Sequence, residues 1–311
     1  MSILNLAGSA VINDVLTDSG LNWDVELTDG IEAPTRSGGY AVTKSKCATV
    51  RTDTNQVLGI VSPDYKIVQN EELAYMAERV GGDVLNVTSA GSLKGGSRVW
   101  MALEAPSFNV GYKDDEVKPY LLLTNGHDGL FSLSGTPTSI RVWCENTLNM
   151  ALAEGRREGM CISMRHKGNM SDKIDSLMDT LQNFYERTQL FREQSNNLVT
   201  RSYGQSMLYN YFRTIYNKHV DTIPMEITDH ESERKNNKWS SVLSKWYNIY
   251  DSESNQFGSN AWVAFNAVTN WIDHDSTFRG ENKTENRFQS NFYGSAAIRK
   301  QQILETTLEI A

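Results

Sequence analysis

Residues 117–149 read VKPYLLLTNGHDGLFSLSGTPTSIRVWCENTLN. An apolar, strand-sized run, Tyr120 to Thr124, is followed by a polar loop in which glycines flank Asn125, His127 and Asp128, and then by a second strand from Ser139 to Cys144. Strand, glycine-punctuated turn and strand is the pattern of an antiparallel sheet. Upstream, Val84 to Ala90, Arg98 to Leu103 and Lys118 to Thr124 are strands joined by the turn-rich links GSLKGG (91–96) and GYKDDE (111–116), so a meander is the economical topology. Trp23, Val25 and Leu27 alternate as a half-buried strand, and Val57 to Val61 repeats that character until Pro63.

Helical signals bracket these strands. Asn70 is a good cap for a helix whose stripe is Leu73, Met76, Ala77 and Val80 and whose end is Gly81-Gly82. Glu145 to Glu154 reads as a further helix closing the sheet region. From Met170 the period changes, with Ile174, Leu177, Met178, Leu181, Phe184 and Tyr185 at helical spacing and similar stripes in 203–217, 238–250, 258–273 and 285–309. Between two of these, 221–238 combines Pro224 with the run ESERKNNK, which lacks an apolar face and reads as a solvated connection. The expected fold class is α+β: an antiparallel sheet with packed helices in the N-terminal half and a mostly α-helical C-terminal half. Domains are expected at 1–168 and 169–311.

Composition narrows the function classes. The 311 residues are 39% hydrophobic and 22% charged, ordinary for a globular chain. No apolar run approaches the roughly 18–20 residues of a membrane span. The first residues, MSILNLAGSAVINDVL, have neither the basic head nor the apolar core of a secretory signal, so a cytoplasmic protein is expected. Cys47, Cys144 and Cys161 are odd in number and widely spaced, which suits reduced thiols better than a disulfide framework. The net charge of −8 comes from the front: residues 1–155 hold 11 basic and 19 acidic residues, and the remainder is balanced. Nucleic-acid binding would therefore need a local basic patch.

Candidate chemistry concentrates in a few places. The loop holding Asn125, His127 and Asp128 suits an exposed functional loop, since glycine permits tight turns and imidazole titrates near neutral pH. The same letters suit a turn held by Asn125 and Asp128 side-chain bonds, and strand alternation points His127 and Asp128 to opposite faces. The five histidines show no metal-ligand spacing, so neither metal nor cofactor is expected; Asp273-His274-Asp275 reads as exposed polar residues at a helix end. A nucleophile elbow and a P-loop are both absent, which leaves no catalytic residue to name. Basic residues interleaved with aromatics are the remaining lead. Arg98/Trp100 and Arg141/Trp143 are each spaced by two, so each pair shares a strand face able to hold phosphate and stack bases. Lys94 stands near the first pair, and Arg156, Arg157, Arg165 and Lys167 bracket the junction between the halves and extend the candidate groove.

Several stretches carry a family resemblance: YKIVQNEE (65–72), AGSLKGGSRVW (90–100), KPYLLLTNGHDG (118–129), TPTSIRVWCENTLNMAL (136–152), NAWVAFNAVTNWIDH (260–274) and the closing ENRFQSNFYGSAAIRKQQILETTLEIA. In that order they resemble the phage/plasmid-like family termed domain of unknown function 932. The resemblance implies a phage or mobile-element origin and transfers no catalytic residue. Helix, three-stranded meander and helix is also similar to the core of the single-strand annealing proteins that phages use in recombination, an argument by analogy. The expected function is a non-enzymatic, homo-oligomeric phage protein of DNA metabolism in the host cytoplasm, binding single-stranded DNA. Two alternatives stand beside it: a virion structural protein or one that engages phage or host proteins, and a metal-dependent hydrolase built on Asn125, His127 and Asp128 with Asp273 and His274.

Overall fold

The computed structural model describes residues 4–5, 12–81, 85–141, 146–149, 162–164, 166, 183–275, 283–292 and 294–311. The chain forms two compact units, each assembled from three stretches: 1–106, 120–137 and 159–184 in the first, and 107–119, 138–158 and 185–311 in the second. Antiparallel strands and helices make the molecule α+β, with the sheets towards the N-terminus and the helices towards the C-terminus.

The first unit holds the meander. Asn86–Leu93 pairs with Arg98–Glu104, which pairs with the later part of Asp115–Gly126, and Leu133–Arg141 lies beyond it. Leu121 opposite Leu103 and Leu123 opposite Met101 bring apolar side chains face to face, all of them fully buried. The Asn86–Leu93 strand runs through Gly91, Ser92 and Leu93, which the sequence assigns to a turn. Gly91 sits under the Trp100 ring, where an added Cβ would come within 3.3 Å of it, so a residue without a side chain lets the tryptophan lie flat on the strand. The turn is confined to Lys94–Gly96, where Lys94, Gly95 and Gly96 all have positive φ.

Against this sheet packs the Asn70–Gly81 helix, burying Leu73, Ala74, Met76 and Ala77. Asn70 does not act as the expected cap. It lies in the first turn, and its amide donates to the Leu21 and Trp23 carbonyls. The preceding Gln69 backbone N–H is taken up by the Glu72 carboxylate, while the Gln69 side chain pairs with both the N–H and C=O of Val25. Val25–Leu27 in turn starts a three-stranded sheet with Cys47–Arg51 and Val57–Val61.

The second unit is built on aromatic packing. Trp246 is fully buried and meets Phe212, Tyr216, Trp239 and Trp271, each with ring centroids 5.3–6.4 Å apart. The expected stripes become the helices Gln205–His219, His230–Phe257, Ala261–Asn270, Lys283–Phe292 and Ser295–Ile310. Asn183–Thr200 precedes them, and the expected helical residues 170–182 lie outside the described residues.

Two expectations fail here. Residues 146–149 are strand rather than helix, with Asn146 opposite Arg141 and Asn149 opposite Thr138. Asn and Thr are poor helix formers, and the Leu133–Arg141 strand offers them a ladder. The ESERKNNK run is helical from His230, not a connection. Asp229 accepts from the Ser232 N–H at 2.7 Å while the Ser232 hydroxyl takes the Asp229 N–H at 3.0 Å, and Glu231 pairs with Arg234 and Lys235. A reciprocal cap and i,i+3/i,i+4 pairs supply locally what an apolar stripe would otherwise provide.

Candidate functional site

At the end of the Asp115–Gly126 strand the backbone is gripped from several sides. His127 N–H donates to the Ser97 carbonyl, Thr49 Oγ1 donates to the His127 carbonyl at 2.6 Å, and Tyr65 OH donates to the Gly126 carbonyl at 2.7 Å. Gly59 lies so close that a Cβ there would stand 2.5 Å from Asp128 Cα. These bonds make the predicted exposed loop a sealed strand end.

Asn125 and His127 are fully buried. Asn125 does not brace the turn; its amide donates to the Val68 carbonyl. For His127, the neighbouring Asn70 fixes the tautomer. Because the Asn70 amide nitrogen is spent on two carbonyls, its Oδ1 must accept from His127 Nε2–H, at 3.2 Å. Nδ1 is then a lone pair without a hydrogen-bond partner. Burial, helped by His166 and opposed by Asp128, pushes the imidazole down to about 3, so it is neutral at physiological pH. A buried, neutral ring set edge-on to Trp23 at 5.7 Å has no route to a substrate proton.

Asp128 holds the turn. One carboxylate oxygen accepts from the Leu130 and Phe131 N–H groups at 2.8 and 2.9 Å; the other accepts from Arg98 Nε at 3.2 Å. Arg98 also lies over the Phe131 ring, 4.8 Å from its centroid. The predicted Arg98/Trp100 binding face is therefore not presented to solvent: Trp100 is 3% exposed beneath the sheet and Arg98 is engaged by Asp128 and Phe131. The error came from reading i,i+2 spacing as an exposed face, when this strand is buried on both sides. Lys94 is exposed at its turn. Arg141 ends its strand opposite Asn146, while its side chain and Trp143, Arg156, Arg157, Arg165 and Lys167 lie outside the described residues.

Beside this strand end the first unit has a cavity of about 430 Å³. Tyr65 and His166 form its aromatic floor, stacked with centroids 4.8 Å apart, and His166 Nδ1 meets the Lys66 carbonyl at 2.9 Å. Phe131, Ser62 and Ser132 line the walls, with exposed Lys46 at the rim. The apolar side chains Ile60 and Leu130, 53% and 86% exposed, border the opening. Lys46, Tyr65 and His166 were not among the residues the sequence singled out, although His166 lies between the junction residues Arg165 and Lys167. The one signal for Tyr65 was its position at the head of YKIVQNEE, a motif whose Gln69 and Asn70 also anchor the fold.

In the second unit Asp273 is not the exposed helix-end residue expected. It is 2% exposed and accepts from Lys300 Nζ at 2.6 Å, within a π-helical turn, Trp271–Asp275. His274 and Asp275 are exposed, and Asp275 pairs with Lys245 at 3.1 Å. Among the described residues no group of three or more His, Cys, Asp or Glu is arranged to hold a metal ion, and no helix is long and apolar enough to cross a membrane.

Comparison with known proteins gives a family and little else. No curated protein and no solved structure matches the chain. The family described as "Domain of unknown function (DUF932)" matches residues 57–292, from the edge strand of the small sheet to the helix before the last. As that is well over half of its length, the chain belongs to the DUF932 family.

Proposed function

We propose that the protein is a non-enzymatic, homo-oligomeric component of phage or mobile-element DNA metabolism that binds single-stranded DNA in the host cytoplasm. The observation that carries this reading is the cavity beside the 126–132 turn, where aromatic rings, hydroxyls and an exposed lysine converge. Single-strand binders combine rings that accept unstacked bases with cations that track the backbone. Half-buried Phe131 and exposed Lys46 supply that combination here, in the role the sequence assigned to Arg98 and Trp100, while Tyr65 and His166, stacked on each other and buried, back the site. Fluorescence anisotropy with a labelled oligonucleotide tests it. Affinity at micromolar protein should fall steeply with salt, and Lys46→Glu should weaken it; salt-independent or undetectable binding removes the reading.

A second reading, engagement of a phage or host protein, is favoured by the Ile31–Pro34/Tyr40–Thr43 hairpin. Its strands are exposed along nearly their whole length, with Tyr40 and Val42 72% and 59% exposed. A lone two-stranded ribbon is only marginally stable in water, and a partner covering it would stabilise it. Pull-down from infected cells with wild type and Tyr40→Asp/Val42→Asp distinguishes the readings, since the substitutions should release a protein partner and leave DNA binding intact.

A further inference from the structure

From the shape and chemistry of this cavity we infer that it receives one unstacked nucleotide, its base held by apolar and aromatic side chains and its phosphate by Lys46. The inference rests on the single-strand reading and narrows it to a mononucleotide unit. Its volume of about 430 Å³ falls in the range of sites for one small molecule, about 300–1,000 Å³. Ile60 and Leu130 are large apolar side chains left in water at the opening, and the planar face of a base would cover them. On the inner side Phe131 continues the apolar wall and the Tyr65/His166 stack closes the floor.

Polar groups are placed for orientation. Ser62 and Ser132 bring hydroxyls able to donate to or accept from base edges, and the Lys46 ammonium suits a single phosphate at the mouth. The wall is well fixed. Phe131 N–H is tied to the Asp128 carboxylate, Gly129 turns with φ of 71°, and the Tyr65 hydroxyl is anchored on the Gly126 carbonyl. An ordered wall lowers the entropic cost of binding. The sealed His127 thus has an indirect part: with Asn70 it braces the strand end from which the cavity wall springs.

Calorimetric titration of the full chain with a deoxynucleoside monophosphate and with the same deoxynucleoside tests the assignment. The monophosphate should bind about tenfold more tightly, the worth of one charge-assisted contact, and Lys46→Ala should erase that difference. Ser132→Trp should fill the cavity and abolish both titrations, with near-ultraviolet circular dichroism checking that each variant is folded. No heat with either compound, or an unchanged preference in Lys46→Ala, overturns the nucleotide pocket. If oligonucleotides bind but monophosphates neither bind nor displace them, the pocket assignment fails and the single-strand reading survives. Binding of monophosphates without binding of oligonucleotides upholds the pocket and sinks the single-strand reading.

Discussion

Two acid–base pairs, one in each unit, show how differently the same chemistry can be used. Arg98 and Asp128 meet at 3.2 Å with side chains 16% and 10% exposed, and Asp128 spends its other oxygen on two backbone N–H groups of a turn. Lys300 and Asp273 meet at 2.6 Å with 1% and 2% exposed, inside helical packing. The first pair shapes a surface beside a cavity. The second is enclosed, and there desolvation lowers the Lys300 pKa while Asp273 works to raise it. A pair that keeps some contact with water leaves a surviving charge that can be partly solvated; an enclosed one is costlier to break, because the surviving charge has no solvent.

Breaking the enclosed pair should have the largest effect. Asp273→Ala should lose about 3–5 kcal/mol in urea unfolding, and Lys300→Met/Asp273→Leu should recover most of it; a loss under about 1 kcal/mol would show that the interior solvates the lysine by other means. Next comes acid. Because the folded His127 value of about 3 lies below the 6.5 of a free imidazole, the unfolded chain takes up a proton first as pH falls. Stability should be intact above about pH 6.5 and decline towards pH 3 at up to about 1.4 kcal/mol per unit from this group. His127→Gln should flatten that slope, measured as the difference from wild type so that the carboxylates cancel; parallel curves would mean that the ring is protonated in the fold.

Gly59→Ala drives a methyl group into the Asp128 backbone and should cost about 1–3 kcal/mol, with a lowered thermal midpoint. Asp128→Ala removes the turn's acceptor and should cost about 1–2 kcal/mol, less than the enclosed pair; an equal loss would erase the contrast drawn above. Smallest of all, Lys44→Ala breaks a 2.9 Å pair whose partners are 72% and 87% exposed, and should move stability by under about 0.5 kcal/mol.

The same contrast explains what could be read in advance. Period and punctuation gave the meander, the Asn70 helix and the C-terminal helices, because Leu121, Leu123, Leu73 and Met76 follow the geometry of their own element. Burial of polar groups was illegible. Asn125, His127 and Asp273 are hidden by partners at Val68, Asn70 and Lys300, and nothing in the local spelling of a strand end or helix end names a partner dozens of residues away. Trp100 failed for a related reason, since the cover on a strand's second face comes from other elements. The cavity was missed because Lys46, Tyr65, Phe131 and His166 lie on four separate stretches.

The reciprocal cap at Asp229 and Ser232 has a consequence for motion. Over the first nine residues of the 28-residue His230–Phe257 helix no side chain is buried, and packing begins at Trp239. That leading segment is held by its cap, by the Glu231 pairs and by Lys238 on Asp221. Such holds open independently of the core. In deuterium exchange the amides of 233–238 should therefore label well before those beyond Trp239, and Asp229→Ala should speed that early labelling without moving the late set.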